Sequence, residues 1–153
     1  MQKKENKNVF RINWISINKL AIGPAPKTLS NLEEIKKKGI CNILTLCSEE
    51  ECKLPVEIST LFNQSKIYLP DHKASRDIEI KEFNKALDEL VELLKTGPVF
   101  IHCVAAMERS PLVCIGWLVK YKNLSFNNAL DYMMQAHPGT NPLAKQLYLI
   151  NKI

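Results

Sequence analysis

The feature that most constrains this chain is the stretch Val99–Pro111, where an apolar segment ends in a cysteine and a short loop leads to an arginine. Five residues separate Cys103 from Arg109, and a Ser-Pro pair then opens a second apolar segment. The pattern predicts a buried strand, a tight loop and the first turn of a helix. The N–H groups of such a loop and the positive end of the helix dipole favour a bound dianion. The stretch therefore indicates transfer of a phosphoryl group to the cysteine sulfur.

Composition and charge exclude several other classes of protein. The 153 residues, 46% of them hydrophobic, suffice for one domain with its own core. The net charge of +5 comes mainly from lysines that are not interleaved with aromatic residues, so we expect no nucleic-acid partner. No apolar run is long enough for a membrane span or a signal peptide. We therefore expect a cytoplasmic monomer without a membrane partner.

The cysteines form an odd set without a Cys-x-x-Cys pair: Cys41, Cys47, Cys52, Cys103 and Cys114. This spacing favours neither a zinc site nor a disulfide framework. We expect a reducing compartment, and neither a metal nor another cofactor. Without further context, Cys103 could equally be a buried structural thiol, as most unpaired cysteines are.

Hydrophobic periodicity predicts alternating strands and helices. Strands are predicted at 10–17, after Leu20, at 40–47, 66–69 and 98–101, and helices at 28–38, 54–64, 78–95, 111–122, 125–136 and from Asn141 onward. The helix at 111–122 is apolar on most faces, which predicts a central position. Together these elements predict a single three-layer α/β domain with a central, mainly parallel sheet of four to five strands flanked by helices. Residues 1–8 are predicted to be a flexible polar tail.

Three side chains follow the ends of predicted strands: Cys47, Asp71 and Cys103. If those strands are parallel, all three lie at the carboxyl edge of the sheet, where ligands bind in such folds. An acidic run, Glu49–Glu51, also follows a strand, and we expect it only to solvate a loop. A Cys-x5-Arg spacing alone is weak evidence, but the strand before it, the helix after it and the nearby carboxylate make the combination specific.

His102-Cys103, five residues and Arg109-Ser110 match the signature of the cysteine-based protein tyrosine phosphatases. The short chain and the spacing from Asp71 to Cys103 resemble the dual-specificity subclass. The likeness covers roughly residues 12–150, so it implies that 9–153 form a dual-specificity phosphatase-like catalytic domain. It implies hydrolysis of phosphomonoesters, on phosphotyrosine and also phosphoserine or phosphothreonine, in a phosphorylated protein or a small phosphomonoester.

The resemblance and the chemistry assign the same roles. Cys103 is the expected nucleophile, and the helix N-terminus and a nearby cation favour its thiolate. Arg109 is expected to hold two phosphate oxygens in bidentate fashion. Ser110 is expected to donate a hydrogen bond to the sulfur, to cap the helix, or both. The expected phosphate-binding loop consists of Val104, Ala105, Ala106, Met107 and Glu108.

Asp71 is the expected general acid and base. Asp77 is its competitor, although it stands where the helix at 78–95 needs an N-cap. His72 either orients the loop of Asp71 or is an exposed side chain without a role. His102 is expected to support the loop through a backbone hydrogen bond, and Asn141 either lies near the pocket rim or caps the last helix.

One position departs from the family pattern, which has glycine three residues after the cysteine where this chain has Ala106. If that residue takes a positive φ, the side chain costs about 1–2 kcal/mol. The alternative to an active enzyme is therefore a phosphate- or phosphoprotein-binding pseudophosphatase with weak turnover; sulfur transfer is a more distant alternative. Glu108 in the loop disfavours a polyanionic headgroup. Cys47 is either a redox partner of Cys103 or a buried strand-end thiol.

Overall fold

A computed structural model describes residues 9–153, so the tail predicted at 1–8 lies outside the described residues. Five strands form one sheet in the order β1-β2-β5-β3-β4. They are β1 (Asn13–Ser16), β2 (Leu20–Ile22), β3 (Asn42–Thr45), β4 (Asn63–Lys66) and β5 (Val99–His102). Only β1 pairs antiparallel, with β2, and the other pairings are parallel. The predicted mainly parallel sheet of four to five strands is confirmed, as a mixed sheet.

Helices cover both faces of the sheet, which confirms the three layers. They are α1 (Leu29–Lys37), α2 (Ile58–Leu61), α3 (Ile80–Leu94), α4 (Arg109–Lys122), α5 (Phe126–Ala136) and a C-terminal 3₁₀ helix (Ala144–Lys152). The larger core cluster packs α3, α4, α5 and the 3₁₀ helix against one face. The smaller cluster packs α1 and α2 against the other, around Phe100. Strand β5 is buried throughout because it lies in the middle of the sheet between these layers.

Helix α4 is the central helix of the larger cluster. Every residue from Arg109 to Leu118 is buried, which confirms the central position predicted from its apolar faces. Because β5 leads directly into the loop at 103–108 and then into α4, a buried strand and a buried helix fix both ends of that loop.

The region from 54 to 69 differs from the prediction. The helix expected at 54–64 is a single turn, Ile58–Leu61, and the strand expected at 66–69 is β4, which begins at Asn63. Strand β4 is an edge strand that pairs only with β3 and carries half-exposed polar residues, so it lacks the apolar alternation that marks an inner strand. The chain then continues to Leu69, whose N–H donates to the carbonyl of Leu46.

For the helices at 28–38 and 125–136, the sequence offers Thr28 or Ser30 and Ser125 as N-caps. Thr28 caps α1 and Ser125 caps α5. Asp77 does not cap α3, because the helix begins later and its N-cap is Glu79, in a reciprocal capping box with Glu82.

The last helix also differs from the prediction. It is a 3₁₀ helix whose N-cap position is Leu143, so Asn141 does not cap it. In the described part of the chain, no helix combines the length and the apolar character that crossing a membrane requires.

Candidate active site

The loop of residues 103–108, here called the phosphate loop, begins with the thiol of Cys103 at the end of β5. Cys103 is 3% exposed, and its sulfur lies 3.2 Å from the hydroxyl oxygen of Ser110, in the first turn of α4. Both side chains therefore lie at the floor of the loop, beside the N-terminus of a helix of 14 residues. The helix dipole and the hydroxyl both favour a negative charge on that sulfur.

Ala106 stands where the family has glycine, and it adopts the left-handed conformation that such a glycine commonly takes, with φ of 58°. Its side chain is buried. A left-handed L-residue costs about 1–2 kcal/mol, which the contacts around the loop have to offset.

His137 supports the strained residue from outside the loop. Its Nε2 lies 2.7 Å from the carbonyl oxygen of Ala106, and Asn13 Nδ2 lies 2.8 Å from its Nδ1. Because a carbonyl only accepts, Nε2 carries the proton and Nδ1 accepts from the Asn13 amide. Burial lowers the pKa of His137, which favours this neutral tautomer. No sequence signal pointed to His137, because it lies 31 residues beyond its partner.

Other carbonyls of the loop are held in the same way. The backbone N–H of Asn141 donates to the carbonyl of Met107 (2.7 Å), and that of Ala25 donates to the carbonyl of Val104 (3.0 Å). Asn141 thus reaches the phosphate loop through its backbone, while the residue itself is exposed.

His102 makes the backbone contact predicted for it. Its Nδ1 donates to the carbonyl of Cys103 (2.8 Å), and its Nε2 accepts from the hydroxyl of Thr45 on the neighbouring strand (2.8 Å). Burial lowers the pKa of His102 to about 4, so the imidazole is neutral at physiological pH. The side chain fixes the start of the phosphate loop relative to β3.

Arg109 is held by a carboxylate and a carbonyl. Its Nη1 donates to Glu51 Oε2 (3.1 Å) and to the Leu69 carbonyl (2.9 Å), and its Nη2 lies 2.8 Å from Glu51 Oε1 without hydrogen-bond alignment. Burial alone would raise the pKa of Glu51, but hydrogen bonds from Arg109 and Ser48 hold it below its ordinary value.

The expectation that Glu51 only solvates a loop is wrong. Glu51 lies in the loop after β3, six residues beyond the end of that strand, whereas Cys103 directly follows β5. A search of the loops after parallel strands, like the one that placed Asp71 and Cys47 at the sheet edge, could have found it. Glu51 is expected to be a solvated loop residue because it belongs to an acidic run. Its neighbours Glu49 and Glu50 are indeed exposed, as charged loop residues usually are.

Asp71 lines the same cavity as Cys103 and Arg109, and Asp77 does not. The cavity has a volume of about 400 Å³ and is lined by Glu51, Asp71, His72, Lys73, Cys103, Val104, Ala105, Met107, Glu108 and Arg109. Asp71 accepts from the backbone N–H of Lys73 (2.9 Å), whereas Asp77 pairs with Lys145 on the 3₁₀ helix (2.7 Å). The geometry favours Asp71 as the acid.

Cys47 lies buried as a free thiol just beyond the end of β3. Burial raises its pKa to about 12, and the positive charge of Arg109 only partly opposes that rise. The protonated thiol is a poor nucleophile, so its pairing with Cys103 remains a prediction that requires Cys103 to be oxidised first.

The sequence profile described as "Dual specificity phosphatase, catalytic domain" matches residues 22–153, which is most of the chain and includes the whole site. The chain belongs to the dual specificity phosphatase family. Family membership supports phosphatase activity and a phosphorylated substrate.

Individual relatives are distant. The chain is similar to phosphatidylglycerophosphate phosphatase PTPMT1 of Arabidopsis thaliana, with 28% identity over 116 residues, 71% of this chain and 33% of that protein. The matched region spans about a third or less of the curated relatives.

Solved structures show the fold. Tk-PTP in the active form has a TM-score of 0.78 at 19% identity, covering 92% of this chain and 94% of that chain. PTPMT1 in complex with PI(5)P has a TM-score of 0.77 at 14% identity, covering 92% of each. Both contain the same three-layer architecture, which confirms the predicted fold.

We expect Glu51→Gln to lower kcat/KM for an aryl phosphate about tenfold, because the neutral amide cannot hold the guanidinium as a carboxylate does. Steady-state kinetics measure the change, with Glu50→Gln as the matched control, since Glu50 is the exposed neighbour in the same loop. Equal activity of the Glu51→Gln variant and the wild type would show that Glu51 does not orient Arg109.

Proposed function

We propose that this chain is a cysteine-dependent phosphatase that hydrolyses phosphomonoesters through a cysteinyl-phosphate intermediate, with the cytoplasm as its location. One observation carries the proposal: a nucleophile, a guanidinium and a carboxyl group share a cavity of about 400 Å³, above a hydroxyl 3.2 Å from the sulfur. These are Cys103, Arg109, Asp71 and Ser110. A module that only binds phosphate needs neither the thiol nor the acid.

In the first step the thiolate of Cys103 attacks phosphorus and the bond to the leaving oxygen breaks. Asp71 donates a proton to that oxygen, so the product leaves as a neutral alcohol or phenol. The N–H groups of the phosphate loop and the guanidinium of Arg109 hold the other phosphate oxygens while charge shifts among them.

In the second step a water molecule attacks phosphorus and the S–P bond breaks. Asp71, now a carboxylate, accepts a proton from that water, and inorganic phosphate is released. The departing thiolate accepts a hydrogen bond from Ser110, which makes the sulfur a better leaving group.

The contacts of Arg109 leave one edge of the guanidinium for the substrate. Nη1 has two hydrogens, and these serve Glu51 and the carbonyl of Leu69. The Nε–H and the Nη2 side of the plane are available for a bidentate contact with two phosphate oxygens. The guanidinium is thus oriented before a substrate binds.

Cys103→Ser should reduce the hydrolysis of phenyl phosphate to background, because a serine hydroxyl is a far weaker nucleophile in this setting. Asp71→Asn should lower kcat by about 10²- to 10³-fold. Asp77→Asn is the matched control and should keep wild-type kcat, since Asp77 lies outside the cavity. Acid quenching should trap phosphate on the wild-type protein, and turnover by the Cys103→Ser variant would contradict the mechanism.

The conformation of Ala106 keeps a second candidate open, a phosphate-binding protein with weak turnover. Ala106→Gly removes the steric cost of the positive φ, so we expect a higher kcat for phenyl phosphate, by about threefold to tenfold. Stability should change little, because glycine also loses about 0.4–1 kcal/mol to the greater freedom of its unfolded state. A wild type that binds phosphopeptide without turnover, together with an unchanged Ala106→Gly rate, would favour the binding protein.

Monophosphorylated side chains of proteins are the proposed substrates, on phosphotyrosine and also phosphoserine or phosphothreonine. Glu108 lines the cavity, and its charge disfavours a headgroup with several phosphates. The second candidate is a phospholipid, because two of the similar proteins are a phosphatidylglycerophosphate phosphatase and a PTPMT1 that binds PI(5)P.

The two substrate classes can be compared directly. We expect kcat/KM for a phosphotyrosyl peptide to exceed that for PI(5)P in mixed micelles by at least about tenfold, with a phosphothreonyl peptide between them. Released phosphate is measured for all three at equal enzyme concentration, and the Cys103→Ser variant gives the background. The reverse order would assign the protein to lipid substrates.

A further inference from the structure

A short contact between a histidine and a glutamate side chain joins the loop of the general acid to the phosphate loop. His72 directly follows Asp71, and its Nδ1 lies 2.6 Å from Oε1 of Glu108. Glu108 is the last residue of the phosphate loop and directly precedes Arg109. The imidazole is half-exposed, whereas only 21% of the Glu108 side chain is accessible to solvent. Both side chains line the cavity that holds Cys103.

The remaining side-chain contacts of the acid loop, residues 70–78, reach other parts of the fold. Arg76 makes a two-point contact with Glu82 on α3 (2.7 and 2.9 Å), and Asp77 pairs with Lys145 on the 3₁₀ helix. Both attach the far end of the loop. Among residues 9–153, the side-chain ion pairs that involve this loop reach the phosphate loop only through His72.

The near end of the acid loop is also fixed, but through the backbone. The carbonyl of Leu69 accepts from Arg109, and the Asp71 carboxylate accepts from the N–H of Lys73 within its own loop. Neither contact joins the Asp71 carboxyl to the phosphate loop. The His72 side chain is the next attachment along the chain, one residue from the carboxyl that has to deliver the proton.

We infer that His72 and Glu108 are a positioning pair that holds the Asp71 carboxyl over the phosphate loop. The inference rests on the proposed function and deepens it, since it assigns a role to a residue next to the acid in the chain and to a residue of the phosphate loop, neither of which is a reacting group. The contact is a short approach of an imidazole nitrogen to a carboxylate oxygen (2.6 Å), without hydrogen-bond alignment. When the pair forms, Glu108 also turns its charge toward His72 rather than toward an incoming dianion.

A loss of positioning has a signature that a general loss of stability lacks. Phenolate is a poorer leaving group than p-nitrophenolate, so phenyl phosphate needs the proton from Asp71 more. We expect His72→Ala to lower kcat for phenyl phosphate about fivefold, which is the size of effect that a partly exposed ion pair can have. The same variant should lower kcat for p-nitrophenyl phosphate by less than about twofold.

Two conservative variants test the polar contact itself. His72→Asn keeps a polar NH₂ group at position 72, and Glu108→Gln keeps a polar oxygen at position 108. His72→Asn should recover most of the kcat for phenyl phosphate that His72→Ala loses. Glu108→Gln should lower kcat for phenyl phosphate more than kcat for p-nitrophenyl phosphate, and an equal loss for both substrates would assign the effect to phosphate binding by the loop and overturn the positioning role.

The deciding experiment combines His72→Ala with Asp71→Asn. If His72 acts through Asp71, the double variant should have the kcat of Asp71→Asn alone, because the acid that it positions is already gone. Asp77→Asn is the control for the loss of an ion pair from the same loop, and it should not change the ratio of the two substrates' rates. Thermal unfolding of each variant confirms that it is folded.

The possible results separate the positioning pair from the proposed function. A further loss in the double variant, an equal loss for both substrates, or an unchanged rate for phenyl phosphate would overturn the positioning pair and leave the phosphatase intact. A wild type with no more turnover than Cys103→Ser would overturn the proposed function, and the positioning pair with it.

Discussion

The outward direction of the carbonyl groups in the phosphate loop is the constraint on which the site depends. The carbonyls of Cys103, Val104, Ala106 and Met107 all accept hydrogen bonds from groups outside the loop. Because a trans peptide is planar, a carbonyl that points outward turns the following N–H toward the opposite side. The ring of inward N–H groups that can bind a dianion is therefore built from the outside, by an imidazole on β5, a second imidazole after α5 and two backbone donors.

Arg109 and Glu51 depend on that same arrangement. A buried guanidinium in a loop of inward N–H groups concentrates positive charge, and the Glu51 carboxylate balances it. Removing two charges from water costs about as much as their attraction returns, so such a pair is weak evidence for stability. The pair instead orients the guanidinium. Two acceptors on Nη1 leave the opposite edge, with Nε and Nη2, available for a substrate.

The sequence was sufficient for the elements that carry strong local signals. The buried β5, the apolar α4 and the Cys-x5-Arg spacing between them fix the sheet's centre and the catalytic loop, and the strand-end rule placed Asp71 in the cavity. The bounds of β4 could not be predicted because an edge strand with polar, half-exposed residues carries no apolar alternation. His137 could not be predicted either, since a histidine after an amphipathic helix becomes a loop support only when tertiary packing brings it to Ala106.

Ala106 shows how far such packing can compensate for a local conflict. The left-handed backbone costs about 1–2 kcal/mol. A hydrogen bond between neutral groups contributes about 0.5–1.5 kcal/mol, and the carbonyl of the strained residue receives one from His137. That imidazole is in turn oriented by Asn13, so it enters the contact in the required tautomer. The two magnitudes are comparable, which means that alanine at this position need not distort the cradle. The cost of the left-handed backbone then falls on the free energy of this loop conformation rather than on the shape of the site.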